Sequence, residues 1–198
     1  MSGSFPTSPV FNSLNVSSVQ PTLISRTISG RRQARQIAGQ YWKMTATFPP
    51  MTRTQFAPIF AFVMAQRGGF ETFTVVPPVL KDGLGSAGGT PLIKGASQTG
   101  RSILTDGWTN STTVFKAGDY VKFTGHDKVY MLTANAISDG SGNATLAIEP
   151  ALVATPANDS AIIFENISFT VALNGSVQEF RTGASGFFSY EIDFAEVL

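Results

Sequence analysis

Four arginines lie close together near the N-terminus, and their side chains have the clearest binding chemistry in the sequence. Arg26, Arg31, Arg32 and Arg35 fall within the segment RTISGRRQAR. A guanidinium group binds either phosphate or carboxylate in a bidentate geometry. No aromatic residues alternate with these arginines, as they do in proteins that bind single-stranded nucleic acid. The pattern therefore favours contact with carboxylates of an adjacent subunit over contact with nucleic acid, and we predict a subunit interface at these four residues.

Two motifs resemble ligand-binding loops without their required context. The segment GLGSAG, residues 83–88, matches the glycine spacing of a dinucleotide-binding loop, but the residues that follow, GTPLIKG, contain a proline and glycines where a helix must begin. We interpret it as a flexible linker. The segment DGSGN, residues 139–143, places oxygen-bearing side chains at alternate positions as calcium loops do, yet lacks the downstream carboxylate ligands. It predicts a hairpin turn.

No catalytic or metal-binding set can be assembled from the remaining residues. His126 is the only histidine, and a metal site or a catalytic triad needs partners at suitable spacing. The carboxylates of Glu71, Glu191 and Asp193 are too scattered along the sequence to indicate an acid/base pair. We therefore expect a protein that is not an enzyme and that has no cofactor and no metal site.

The composition favours a subunit of a larger assembly. Only 14% of the 198 residues are charged, against about 25% in an average globular protein. The net charge of +1 gives no strong field to attract nucleic acid or a membrane. The chain contains no cysteine. We expect no signal peptide in its first residues, and no apolar run in the sequence is long enough to predict a membrane span.

The first third of the chain predicts a strand, a helix and a second strand. Residues 1–40 have weak periodicity and predict an extended arm with at most short strands. In YWKMTATF, residues 41–48, the alternation predicts a half-buried strand that stops at two prolines. Thr52 and Gln55 fit a capping box for the following helix. Its buried face is predicted to contain Phe56, Ile59, Phe60 and Val63, with Gly68 as the left-handed cap. An aromatic strand, FETFTVVPP, follows from Phe70.

The rest of the chain predicts an inserted domain followed by a return to the first one. Short strand-like runs separated by turn residues continue from about residue 93 to 164, as in a small β-barrel or sandwich. The final strands, ISFTVAL and FFSYEIDFAEV, alternate strongly again. We predict a mainly β protein: a β-sandwich or split barrel with one α-helix, formed by residues 1–80 and 164–198 with an N-terminal arm, and an inserted small all-β barrel at residues 81–163.

The order of elements resembles a family of bacteriophage tail proteins. GQYW leads to an alternating strand, a helix ends in Arg-Gly-Gly, RGGFETFTVVPP closes an aromatic strand, and SYEIDFAEV lies near the C-terminus. This arrangement resembles the minor tail protein M family of long-tailed phages and the related distal tail proteins, over about residues 30–80 and 165–198. The segment 81–163 departs from the shorter members of the family and looks like accessory β-domains of other phage tail components.

The resemblance implies a structural virion protein at the tail tip, made in the bacterial host cytoplasm. Its partners would be further copies of itself in a ring, of six subunits by the same resemblance, together with the tail tube and tail hub proteins. DNA would pass through the ring without specific binding, and no part would insert into a membrane. The alternative is an adhesion or accessory binding module whose inserted domain recognises a host surface glycan or a fibre protein.

Overall fold

The chain folds into two compact units. The computed structural model describes residues 3–37 and 39–197. The first unit contains the described residues up to 73 together with residues 171–197, and the second contains residues 74–170. Two strands, β5 (Thr72–Val75) and β14 (Phe169–Leu173), include the points at which the chain passes from one unit to the other.

The described residues are mainly β-strand with one α-helix, which confirms the predicted fold class. Before β5 come β1 (Ser13–Val19), β2 (Thr22–Arg26), β3 (Arg32–Gln36), β4 (Tyr41–Thr47) and helix α1 (Arg53–Ala65). The second unit contributes β6 (Gly89–Ile93), β7 (Ser102–Trp108), β8 (Thr113–Phe115), β9 (Tyr120–Phe123), β10 (Val129–Leu132), β11 (Ala136–Ile137), β12 (Ala144–Glu149) and β13 (Ile162–Ile163). After β14, the chain ends with β15 (Phe180–Thr182) and β16 (Phe188–Glu196).

The first unit is built on a sheet with the order β1-β4-β16-β14-β5, to which β15 adds by pairing with β16. The pairs β1–β4, β4–β16, β16–β14 and β15–β16 are antiparallel. The buried side chains of β4 and β16 alternate along each strand as the sequence predicts. They are Trp42, Met44, Ala46, Tyr190, Ile192, Phe194 and the one charged residue among them, Glu196. Strands with one apolar face bury that face and leave the other accessible. Because β4 and β16 are neighbours in this sheet, strands from both ends of the sequence complete it.

Helix α1 begins with the predicted capping box, in which the backbone N–H of Thr52 donates to Oε1 of Gln55 at 3.0 Å. Its buried residues are Phe56, Ile59 and Val63, whereas Phe60 is only half-buried. Gly68 has a positive φ of 67°, as predicted, but the left-handed conformation begins one position earlier, at Arg67 with φ 54°. The next three residues, Gly68–Phe70, form a 3₁₀ turn and leave Phe70 exposed. The aromatic strand therefore starts at Thr72, not at Phe70.

The N-terminal segment is more ordered than the predicted arm. Strand β1 pairs along its whole length with β4, from Ser13 opposite Thr47 to Val19 opposite Tyr41. Strands β2 and β3 form a separate two-stranded hairpin. Phe5 is buried, and its ring lies within 5.6–6.2 Å of four other phenylalanine rings, those of Phe11, Phe48, Phe62 and Phe73. One aromatic side chain near the start of the chain thus belongs to the core of the first unit.

The second unit is a nearly closed barrel. Its six-stranded sheet has the order β13-β9-β10-β12-β7-β6, and a bridge between Leu92 and Ala161 joins the two outer strands. The core inside this sheet includes Trp108, Phe115, Phe123 and Tyr130. Closure leaves few unpaired strand edges. This unit thus has a sheet and a core of its own.

The ends of the barrel segment lie next to each other. The N–H of Asn166 donates to the carbonyl of Lys81 at 2.8 Å. Phe164, which we assigned from the sequence to the first domain, packs against Trp108 and Phe115 of the barrel core. The domain bounds that we expect from the sequence, 1–80 with 164–198 and 81–163, stay a prediction. The contacts of Phe164 are the observation that lies nearest to one of these bounds.

Candidate assembly surface

The four arginines of the predicted interface lie on the β2–β3 hairpin or its turn. Arg26 and Arg32 are directly opposite each other in the register, and Arg35 is opposite Leu23. Arg31 closes the turn, where its N–H donates to Oγ1 of Thr27 at 3.1 Å. The structure thus brings the four residues together on one small element.

Every residue of the two hairpin strands is exposed to solvent. Within residues 3–37 and 39–197, none of the four arginines forms an ion pair with a carboxylate. Like charges placed opposite each other destabilise a strand pair, and a lone hairpin is marginally stable in water. The hairpin also exposes the apolar side chains of Leu23, Ile24 and Ile28. An exposed element with this combination of apolar and cationic groups is suited to contact another molecule.

A groove of about 450 Å³ lies on the first unit beside β16 and β15. We call it the β16 groove; its lining residues are Thr47, Asn174, Val177, Gln178, Glu179, Arg181, Ser189, Tyr190, Glu191 and Asp193. Three carboxylates against one guanidinium leave its lining with a net charge of −2. The alternation in FFSYEIDFAEV predicts that Ser189, Glu191 and Asp193 share one face of a strand. It did not show that Glu179 from the preceding segment would join them.

Hydrogen bonds hold the floor of the β16 groove. Thr45 donates through Oγ1 to the carboxylate of Asp193, and Thr47 donates to Oε2 of Glu191 at 3.4 Å. The hydroxyl of Tyr190 donates to Oε1 of Gln178 at 3.0 Å, and burial raises the pKa of this tyrosine. Tyr190 therefore stays protonated and acts as a hydrogen-bond donor. Glu191, in contrast, is exposed and available to a partner.

The glycine-rich segment 83–88 is not a flexible linker. The buried carboxylate of Asp119 accepts hydrogen bonds from the N–H groups of Leu84 at 2.7 Å, Gly85 at 3.2 Å and Lys116 at 2.8 Å. A Cβ atom at Gly85 would lie 2.3 Å from the carbonyl oxygen of Val114, so only glycine fits this approach. The segment is packed onto the second unit, and its glycines serve that packing rather than phosphate binding.

The segment DGSGN forms a turn, but not the predicted hairpin turn, because β11 pairs with β8 whereas β12 pairs with β7 and β10. The carboxylate of Asp139 accepts hydrogen bonds from the N–H groups of Ser141 and Asn143 and from the side-chain amide of Asn143. These bonds, first of all the one from the Asn143 side chain, lower the pKa of Asp139. The carboxylate oxygens are thus occupied within the turn itself.

His126 lies in the second unit, beside an aromatic ring. His126 packs edge-on against Phe123, and its Nδ1 atom is buried without a hydrogen-bond partner. Within the described ranges, no group of three or more His, Cys, Asp or Glu side chains is arranged to hold a metal ion. No helix among the described residues is long and apolar enough to cross a membrane.

A comparison with protein families finds a match in the second unit. Residues 82–167, less than half of the chain, match the family model described as distal tail protein pb9, B domain. No curated protein matches the chain. The match falls on the inserted segment, whereas the resemblance seen in the sequence rested on the segments at either side of it. It nevertheless concerns the same class of phage protein. The match therefore confirms the resemblance to bacteriophage distal tail proteins and supports a structural role in a phage tail.

Proposed function

We propose that the chain is a ring subunit at the distal end of a bacteriophage tail, where it joins the tail tube to the tail hub and catalyses no reaction. The observation that carries this proposal is the match of residues 82–167 to the B domain of a distal tail protein. The exposed basic hairpin, the low fraction of charged residues and the β16 groove are compatible with a surface that is covered in an assembly.

The first unit is the part that forms the ring in this proposal. Its partners are further copies of the chain, the tube protein and the hub proteins, and the ring has six subunits by the family resemblance. DNA passes through the ring without specific binding. A contact within such a ring buries about 1,200–2,000 Å² or more, and aromatic and arginine side chains are prominent in contacts of this kind.

Two measurements test the proposal. Antibodies against the purified chain are expected to label phage particles at the tip of the tail, and labelling elsewhere on the particle would contradict the assignment. Light scattering at high protein concentration, alone and with the tube and hub proteins, is expected to show a closed oligomer. A chain that remains monomeric under both conditions is not a ring subunit.

The barrel forms an inserted domain in this proposal, because the segment ends are joined by the hydrogen bond from Asn166 to Lys81. Replacement of residues 82–165 by a short Gly-Ser link is expected to leave the first unit folded, since insertions are tolerated when their ends meet at one surface point. The fluorescence of buried Trp42 and circular dichroism of the shortened chain measure this. An unfolded spectrum would show that the barrel is needed by the first unit.

A second candidate is an adhesion module in which the barrel recognises a host glycan or a fibre protein. The observation in its favour is that the barrel has its own sheet and core and is matched by a family model on its own. Binding of the full chain to a panel of bacterial surface glycans tests it. If the chain binds a glycan and does not assemble, this function replaces the ring.

A further inference from the structure

The β2–β3 hairpin and the β16 groove have complementary chemistry. The hairpin carries Arg26, Arg31, Arg32 and Arg35 beside exposed leucine and isoleucine side chains. The groove is lined by the carboxylates of Glu179, Glu191 and Asp193 and also by Val177, whose side chain is exposed. Its one cation, Arg181, lies 3.9 Å from the carboxylate of Glu179, so the lining keeps its net negative charge. Arginine binds carboxylate in a bidentate geometry that a surface lysine does not provide. The two surfaces thus differ in the sign of their charge, and both offer apolar side chains for contact.

The two surfaces are associated with opposite ends of the same sheet. The chain enters the hairpin just after Val19 and leaves it just before Tyr41, and these two residues face each other at one end of the β1–β4 pair. The groove begins at the other end, where Ser13, Thr47 and Glu191 lie side by side on β1, β4 and β16. The seven residues of β1 separate the two ends by roughly 20 Å at about 3.3 Å per residue.

We propose that the β2–β3 hairpin of one copy docks in the β16 groove of the next copy. This inference rests on the proposed self-assembly and names the contact that produces it. Because the hairpin and the groove are different surfaces, the contact is heterologous: each added copy leaves one free hairpin and one free groove. Such a contact closes into a ring when its rotation permits and does not stop at a dimer.

Charge reversal of each surface tests the contact in the full-length protein. The hairpin variant is Arg31→Glu/Arg32→Glu, and the groove variant is Glu179→Lys/Glu191→Lys; all four side chains are exposed, so the fold is expected to be retained. Each variant is expected to weaken self-association by at least about tenfold, as measured by sedimentation, and the wild-type association is expected to weaken with salt. Arg53→Glu/Arg67→Glu and Asp82→Lys/Glu165→Lys reverse the same amount of charge at other exposed positions and are expected to have little effect.

A mixing experiment shows whether the contact is heterologous. The hairpin variant retains an intact groove, and the groove variant retains an intact hairpin. Each variant alone has a hairpin and a groove of like charge and is expected not to associate. In a mixture, both hairpin–groove pairings between unlike variants are complementary in charge, so larger assemblies in which the two variants alternate are expected. Combining both double substitutions in one chain is expected to restore larger assemblies, because the charges are then exchanged.

Disulfide cross-linking provides a direct readout, because the natural chain contains no cysteine. Copies with Arg32→Cys mixed with copies with Glu191→Cys are expected to form a mixed disulfide dimer under mild oxidation. In the control, copies with Arg53→Cys replace the copies with Arg32→Cys, and little mixed disulfide dimer is expected. If the wild type assembles but charge reversal and cross-linking show no difference from the controls, the docking inference is wrong and the ring proposal stands. If the wild type does not assemble with itself or with its tail partners, both are wrong.

Discussion

Asp119 fastens the glycine-rich segment to the barrel, and its replacement by alanine provides a sharp test of this interpretation. The substitution removes three hydrogen bonds, from the N–H groups of Leu84, Gly85 and Lys116. A hydrogen bond to a charged acceptor contributes about 1.5–3 kcal/mol. Leu84 and Lys116 are exposed, so water replaces part of what is lost. We therefore expect Asp119→Ala to lower the free energy of unfolding of the second unit by about 3 kcal/mol.

The two tryptophans allow each unit to be followed separately. Trp108 lies in the barrel core and Trp42 in the core of the first unit. In a Trp42→Phe background, fluorescence during urea unfolding reports on the barrel alone. A loss of about 3 kcal/mol lowers the urea midpoint by roughly 1–3 M for the usual range of slopes. In a Trp108→Phe background, the transition of the first unit is expected to be unchanged.

Asp82→Ala is the matched control for Asp119→Ala. Asp82 is an exposed aspartate near the same segment, and its side chain forms an ion pair with exposed Lys81 at 3.3 Å. Exposed ion pairs contribute about 0–1 kcal/mol, so the control is expected to leave the midpoint almost unchanged. If Asp119→Ala is no more destabilising than Asp82→Ala, the glycine-rich segment does not depend on this carboxylate and the linker interpretation is restored.

Three further substitutions test other parts of the structure. Phe5→Ala is expected to lower the free energy of unfolding of the first unit by about 3–5 kcal/mol, as for other buried aromatic residues. In the same urea unfolding measurement, Val10→Ala at an exposed site should have little effect. Equal effects of the two substitutions would place Phe5 outside the core. Gly85→Ala is expected to destabilise the barrel because its Cβ would lie 2.3 Å from a backbone carbonyl oxygen, while Gly140→Ala meets no atom within 4 Å and serves as the control in the same measurement. Because the pKa of Asp139 is lowered in the folded state, the stabilisation by its carboxylate is present above the ordinary value of 3.8 and is lost as the pH falls through the lower pKa of the folded state. Thermal melts from pH 5 to 2 should therefore show a steeper loss of stability in the wild type than in Asp139→Asn. Identical pH profiles of the two proteins would contradict the assignment.

Local sequence patterns determined several elements of the fold correctly. The alternation in residues 41–48 identified the buried face of β4, because successive side chains on a strand point to opposite sides. The pairing of Thr52 with Gln55 located the start of α1, because a capping box involves residues only three positions apart. The turn at Asp139 was predictable for the same reason. Its hydrogen bonds connect residues within four positions of each other.

The tertiary structure alone decided the features that depend on distant residues. From the sequence alone, the glycine-rich segment resembles a linker. In the structure, Asp119, which is 35 positions away from Leu84, accepts a hydrogen bond from the N–H group of Leu84. Phe5 lies in an irregular N-terminal segment without periodicity, and its burial depends on aromatic rings as far along the chain as Phe73. The β16 groove forms because Thr47 of β4 pairs with Glu191 of β16, which comes more than 140 positions later. Side-chain type and spacing show what a residue can contact, whereas only the folded chain brings residues this far apart in sequence within reach of each other.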